Sequence, residues 1–316
     1  MKVMSLKGGV WMHGEVSSNR QHLTVSKRIS AFRVLIKEGI IKANLFPAFA
    51  AGFLAVMYYN QSFFKSIPLL LLMLLATALL IGGVCALNNY YDRDIDRVMT
   101  SKKDRPSLDG TFTGPEILKI GFSMVVLGEI ILFMINSTAG VLGLLAGFGY
   151  VVLYSIYSKR HLVSNTVIGA LPGAVPPLIG WAVIEPNLHI IAWAMFIVMF
   201  IWQPPHFYAL AIKRRDEYSN AQVPMLPSVK GNKRTTFSIV MWISLLVLTP
   251  ILMTELGVWF VIVASLLNMS WLVIALNKFK PIEDYNRYAG RVFVFSLNYI
   301  LIFYVMIIVA GLLIGA

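Results

Sequence analysis

The feature that most limits this chain is a succession of long apolar runs. Near 40–59, 67–91, 116–136, 138–157, 165–184, 189–212, 236–254, 256–276 and 289–314 the sequence holds stretches close to the ~20 residues that carry a helix across a bilayer. Nine runs of this kind predict an all-α integral membrane protein with nine transmembrane helices, because no water-soluble core buries so much apolar surface. Composition agrees: 58% of residues are hydrophobic and 13% charged, against about 25% charged in soluble domains. A disordered chain and an ordinary soluble enzyme are both excluded. The single cysteine, Cys85, excludes an internal disulfide framework and a cysteine-cluster metal site.

The charges test the span count. Of 27 Lys and Arg residues, all but Lys65 fall in the N-terminal stretch or at alternate span ends. The groups are Lys2, Lys7, Arg20, Lys27, Arg28, Arg33 and Lys37; Arg93 to Arg105; Lys159 and Arg160; Lys213 to Arg234; and Lys278 to Arg291. By the positive-inside rule that side is cytoplasmic, the N-terminus lies inside and the C-terminus outside. The net charge of +12 then needs no nucleic acid. Residues 1–39 are expected to form a cytoplasmic tail, and 40–316 a single nine-helix domain. Within the tail, Ser26 to Glu38 alternates apolar and basic residues at helical intervals and reads as an amphipathic helix on an anionic surface. No cleavable targeting segment and no Arg- and Ser-rich transit segment is visible, which favours a bacterial plasma membrane over a mitochondrial inner membrane.

Two loops on the basic side are too rich in specific polar groups to be mere connectors. At the end of the second span, Asn88, Asp92 and Asp96 are spaced i, i+4, i+8 and share one helix face. Asn88 and Asp96 stand roughly 12 Å apart on an ideal axis, too far to ligate one Mg²⁺. The array therefore suits a metal-bridged extended anion such as a diphosphate, or an unwound helix end. A solvated helix end with alternating charges would read the same way, but acids on a face entering a membrane are costly without partners. Lys102, Lys103 and Arg105 follow as cations for phosphate oxygens.

The second loop begins inside the sixth span with Trp202-Gln203-Pro204-Pro205-His206-Phe207. Two adjacent prolines are expected to break that helix, as Pro172-Gly173 and Pro176-Pro177 break or kink the fifth. Lys213, Arg214, Arg215, Asp216 and Asn220 follow, and Asp216 and Asn220 repeat the i, i+4 spacing. Spans two and six run in the same direction, so their polar ends can face one cavity. Lys159, Arg160 and Asn165 add to the same rim. His206 is open to three readings: a buried imidazole with satisfied hydrogen bonds, a general base, or a haem ligand. Glu129, inside the third span, is left without a catalytic role.

These residues carry a resemblance. Asn88-x3-Asp92-x3-Asp96 resembles the NxxxDxxxD motif of the UbiA superfamily of intramembrane prenyltransferases. The blocks NYYDRDID, YSKR, PPLIGW ending at Trp181, WQPPHF from Trp202 and PMLP from Pro224 resemble, in order, those of its haem-farnesylating branch, and they cover about residues 40–300. The resemblance implies a nine-helix bundle around a central cavity open to the cytoplasmic side. It implies farnesyl transfer from farnesyl diphosphate to a vinyl group of haem B, with water addition, giving haem O and diphosphate. It further implies Mg²⁺, of uncertain number, on Asn88, Asp92, Asp96 and Asp216 as the catalytic set. Arg93, Arg97, Arg105, Lys159, Arg160 and Lys213 would hold the diphosphate, and His206, Gln203 and Trp202 would touch the haem, which is substrate rather than resident cofactor. Haem A synthase or cytochrome oxidase assembly proteins are the implied partners. A prenyltransferase acting on a quinone precursor or another tetrapyrrole would share the aspartates. A secondary transporter would share the broken helices but show no metal-dependent diphosphate release.

Overall fold

The computed structural model describes residues 25–276 and 284–315, and every regular element in them is helical. The first stretch of the tail and the charges Lys2, Lys7, Arg20, Lys278 and Lys280 lie outside the described residues. In chain order the elements are α1 (Val25–Leu35), α2 (Glu38–Tyr58), α3 (Phe63–Tyr91), α4 (Arg93–Val98), α5 (Gly114–Ile135) and α6 (Ser137–Phe148). A π-helical stretch, Gly149–Ser158, joins α6 to a last turn, α7 (Lys159–His161). Then come α8 (Asn165–Gly173), α9 (Pro176–Ala182), α10 (Ile190–Lys213), α11 (Arg215–Asn220), α12 (Leu226–Leu246), a 3₁₀ segment Thr249–Leu256, α13 (Val258–Leu276) and α14 (Tyr285–Ile314). Among the described residues, eight helices are long and apolar enough to cross a membrane, and the broken pair α8 and α9 stands in the place of the fifth expected span.

Local chemistry sets the helix ends. Thr113 and Glu116 form a capping box at the start of α5: Glu116 Oε2 accepts the Thr113 N–H at 2.7 Å and Thr113 Oγ1 accepts the Glu116 N–H at 3.4 Å. The α5–α6 hairpin turns on Asn136 alone. Its Oδ1 accepts the Ala139 N–H at 2.8 Å and its Nδ2 donates to the Ala182 carbonyl at 2.8 Å, so one amide caps α6 and ties the hairpin to α9.

Lipid offers no hydrophobic drive for helices to associate, so close approach of backbones does the packing. A Cβ on Gly128 would sit 2.8 Å from the Ala76 carbonyl oxygen, which is how α5 lies against α3. A Cβ on Gly180 would collide with the Ala48 carbonyl and push α9 off α2. Aromatic side chains fill the interior, with Trp181, Trp271, Tyr299 and Tyr304 fully buried. Large apolar side chains such as Phe122, Ile130, Leu145 and Leu266 are exposed on the outside, as a hydrocarbon surrounding requires.

Two expectations need correction. Pro204 and Pro205 do not break the sixth span: α10 runs unbroken through both. The ladder carbonyls four residues back lose their donors, but neighbouring contacts hold the segment. Trp202 Nε1 donates to the Ser296 carbonyl of α14 at 2.8 Å, and Gln203 Nε2 donates to the carbonyls of Met199 (3.2 Å) and Ala170 (3.1 Å). The seventh helix starts at Leu226, ten residues before the apolar run, and kinks at Gly231 (φ 77°, ψ 167°). Pro227 opens its first turn and the polar Lys230, Asn232, Lys233 and Arg234 mask it from hydropathy.

Candidate active site

The i, i+4, i+8 array survives folding because the helical ladder crosses the α3–α4 junction. The Asp92 N–H donates to the Asn88 carbonyl at 2.9 Å, and the Asp96 N–H to the Asp92 carbonyl at 2.8 Å. Asn88, Asp92 and Asp96 thus keep one face, and they are 2%, 0% and 0% exposed. Carboxylates buried this deeply need cations. Lys159 pairs with Asp92. Lys102, at 3.0 Å, and Arg105 pair with Asp96. Asn88 donates from Nδ2 to Asp92 Oδ2 (2.8 Å) and Ser155 Oγ (2.9 Å), while its Oδ1 accepts from Lys37 Nζ at 2.5 Å. Arg105 also donates to Asn89 Oδ1 at 2.8 Å, and Asn89 Nδ2 donates to the Leu35 carbonyl at 2.6 Å, which ties the end of α1 to the site.

This array forms one end of a cavity of about 520 Å³ bounded by α2, α3, α6, α8, α10 and α14. Lys37, Lys102, Arg105, Lys159 and Arg214 all line it, against the single carboxylate of Asp92 on its wall. Burial, and the neighbouring Lys159 ammonium, push the Lys102 amine down to about 8, partly offset by Asp96. Burial likewise lowers Lys37. Cations held so close together are waiting for an anion of more than one charge. From Asp92 the cavity follows α3 to Thr77, fifteen residues or about 22 Å deeper. There its wall is apolar: Leu80, Ile81, Val84, Ile179, Met199 and Ile300. The shape is that of a ligand with a charged head and a long apolar tail.

The π-helical stretch puts Lys159 where it is. The Lys159 N–H reaches five residues back to the Tyr154 carbonyl, and Ser155 Oγ donates to the Tyr150 carbonyl at 2.9 Å. The widened turn points Tyr150, Tyr154 and Lys159 into the cavity beside Asp92, a use of π-bulges common at functional sites. Gly169 makes room for Tyr154, since a Cβ there would stand 2.7 Å from the ring.

Of the residues singled out from sequence, the fold gathers Asn88, Asp92, Asp96, Arg105 and Lys159 at the polar end and places Trp202 and Gln203 on the cavity wall. The others lie elsewhere. Arg93 donates from Nε to the Tyr90 carbonyl at 3.0 Å and covers the Tyr90 ring at 4.1 Å. Arg160 makes a bidentate pair with Asp94, both bonds 2.7 Å, which holds the Asp94 carboxyl down to about 2. Arg97, Lys213 and Asp216 are exposed and absent from the cavity wall. The turn at Arg214 rotates α11 so that Glu217, beside Asp216, takes hydrogen bonds from Thr100 (2.8 Å) and Ser101 (2.6 Å). His206 sits behind the wall, stacked between Trp202 (4.7 Å) and Phe293 (4.8 Å), with Nδ1 2.7 Å from Ser296 Oγ. Sequence reasoning gave no role in the site to Lys37, Asn89, Ser155, Tyr150, Tyr154 and Tyr218. Tyr154 and Ser155 stand five and four residues before Lys159, the one signal that could have found them.

The donor set fits Mg²⁺. Asp92 Oδ1 is a buried hard oxygen on the cavity wall with no hydrogen-bond partner. Mg²⁺ is commonly held by one or two carboxylates together with substrate phosphates, not by an all-protein cage. Accordingly, among the described residues no three His, Cys, Asp or Glu side chains form a metal-holding group.

Comparison with known proteins agrees with this geometry. A protoheme IX farnesyltransferase of Macrococcus caseolyticus is 53% identical over 281 residues, covering 89% of this chain and 92% of that protein. A solved structure described as bearing on the biosynthesis of digeranylgeranylglyceryl phosphate synthase in membranes superposes with a TM-score of 0.71 at 18% identity, covering 90% of this chain and 99% of that one. A UbiA homologue from Archaeoglobus fulgidus, bound to DMAPP and Mg²⁺, superposes with a TM-score of 0.62 at 17% identity, covering 88% and 99%. The sequence profile of the UbiA prenyltransferase family matches residues 44–298, the stretch that builds both the helical bundle and the charged end of its cavity, and the chain belongs to that family.

Proposed function

We propose that this protein transfers the farnesyl group of farnesyl diphosphate to a vinyl group of haem B, with addition of water, releasing haem O and diphosphate. The observation that carries the reading is one cavity with buried, cation-paired carboxylates at its polar end and an apolar wall behind them. The farnesyl donor and the haem acceptor are supported by the name of the Macrococcus caseolyticus relative, which shares about half of its residues with this chain.

Lys37, Lys102, Arg105 and Lys159 bind the diphosphate oxygens, turning from the α3–α4 side chains toward the incoming anion. Asp92 would hold Mg²⁺ together with substrate phosphate, with Asn88 and Asp96, too far apart to share one ion, extending the set toward any second ion; the metal when bound supplies a Lewis acid to the leaving diphosphate. Asp216, exposed on α11, is left out of that set. As the allylic C–O bond breaks, the Tyr150 and Tyr154 rings face the positive carbon chain and stabilise it by about 0.5–2 kcal/mol each. The terminal vinyl carbon of haem forms the new C–C bond. The adjacent carbon then takes the oxygen of water, and the proton released passes to diphosphate or solvent. The apolar wall keeps water from the allylic cation before transfer.

In this reading the charged end of the cavity faces the cytoplasm of a bacterial plasma membrane, residues 1–39 form the cytoplasmic tail and 40–316 the catalytic domain. Haem A synthase or oxidase assembly proteins would take up the product. Membranes expressing the chain, given haem B, farnesyl diphosphate and Mg²⁺, should yield a haem with the added hydroxyethylfarnesyl mass. The product should vanish with EDTA and with Asp92→Asn. Mg²⁺-dependent prenylation of a hydroxybenzoate, with haem unchanged, would overturn the acceptor.

A further inference from the structure

The five cations on the cavity wall are not equivalent. Lys37, Lys102, Arg105 and Lys159 each bond to Asn88, Asp92 or Asp96 along α3, α4 and their junction. Arg214 stands on a different wall, and among the described residues it has no ion pair and no side-chain hydrogen bond. Of the two acids that follow it, Asp216 is exposed and Glu217 is turned to Thr100 and Ser101. Arg214 also ends a stripe: Gln203, Phe207, Leu210 and Arg214 are spaced i, i+4, i+7, i+11 along α10, and all four line the cavity. Past the Gln203 amide the stripe is aromatic and apolar, and it is cationic at its end.

Resting on the acceptor reading above, we propose that Arg214 binds a propionate carboxylate of haem B, with the macrocycle lying along Phe207 and Leu210. Haem carries its propionates on one edge and its vinyl groups on the edge away from them. A guanidinium is a planar fork that grips a carboxylate through two parallel hydrogen bonds, so it fixes the orientation of the ring as well as its position. Holding the propionate edge at Arg214 turns a vinyl edge away from α11 and along the Leu210–Phe207 stripe into the cavity. The wall tied to carboxylates receives the diphosphate, and the wall with the unpaired guanidinium receives the carboxylate.

The test compares haem B with its dipropionate dimethyl ester in the purified full chain, as wild type, Arg214→Gln and Arg214→Lys, with farnesyl diphosphate KM measured alongside. Esterification should lower wild-type kcat/KM for the acceptor on the order of ten- to a hundred-fold, the range of a lost charge-assisted contact. Arg214→Gln should lose about as much with haem B and little more with the ester. Arg214→Lys, which keeps the charge without the fork, should fall between. Farnesyl diphosphate KM should stay within about two-fold in both variants, which also shows that the site has folded. Equal use of acid and ester by the wild type overturns the proposal, as does undiminished discrimination in Arg214→Gln. A rise confined to farnesyl diphosphate KM would assign Arg214 to the diphosphate instead. Absence of any prenylated haem in the wild type would instead sink the acceptor reading itself.

Discussion

Replacing Lys159 by Met leaves Asp92 as a buried carboxylate beside an apolar side chain. The pair is nearly sealed, with side chains 9% and 1% exposed. Removing one partner of such a pair costs about 3–5 kcal/mol, because the remaining charge stays desolvated. Asp92→Asn removes the other partner and strands the ammonium, at a similar cost. The double variant Asp92→Asn with Lys159→Met has neither charge, and its cost should fall to about 1 kcal/mol or less, since neutral replacements of buried pairs are often near neutral. At roughly 2 °C per kcal/mol for a chain of this size, each single variant should unfold about 6–10 °C below the wild type in detergent, and the double variant within about 2 °C of it. Prenyl transfer should be lost in all three, because the double variant restores stability without restoring the diphosphate contact. Thermal unfolding followed by tryptophan emission reads the first quantity and product formation the second. If the two single losses simply add in the double variant, the ion pair is not what holds this end of the cavity.

Further outcomes follow from the same geometry. The Lys102 ammonium is charged below about 8 and neutral above it in the free protein, so kcat/KM for farnesyl diphosphate should fall as pH rises through that value, and Lys102→Arg should flatten the fall. Gly169→Val would drive the Tyr154 ring, which a Cβ alone meets at 2.7 Å, out of the cavity; kcat should drop at least ten-fold while binding of the diphosphate, measured by inhibition with pyrophosphate, changes little. Arg93, held over Tyr90, should tolerate change to Gln with farnesyl diphosphate KM within about two-fold of wild type, whereas Arg105→Gln should raise it more than ten-fold.

The bundle and the acidic face were legible because both depend on one-dimensional spacing. Apolar runs of bilayer length become helices, and i, i+4, i+8 residues stay aligned as long as the ladder holds, which it does through Asp92. The same spacing argument, carried one step further, separates the basic residues. Arg93 and Arg97 follow Asp92 and Asp96 by one position, so each is turned about 100° off the acidic face. Arg214, not Lys213, continues the Gln203, Phe207, Leu210 stripe. What no spacing reveals is tertiary. Lys37 reaches Asn88 from a left-handed residue (φ 52°) between α1 and α2, a conformation with no mark in the sequence. Pro204 and Pro205 read as a break, yet α8 and α14 hold α10 together around them. The kink at Gly231 and the widened turn at Gly149–Ser158 are likewise decided by packing.

On the proposed reaction, the Asp92–Lys159 end of the cavity releases diphosphate only as haem B is prenylated. Counting both products in one reaction tests it most directly, with phosphate released from diphosphate by added pyrophosphatase and haem resolved by chromatography. One diphosphate should appear for each haem B consumed in the wild type, and neither change should occur in Asp92→Asn. Diphosphate release that continues with haem B untouched, or transfer that persists in Asp92→Asn, would contradict the account.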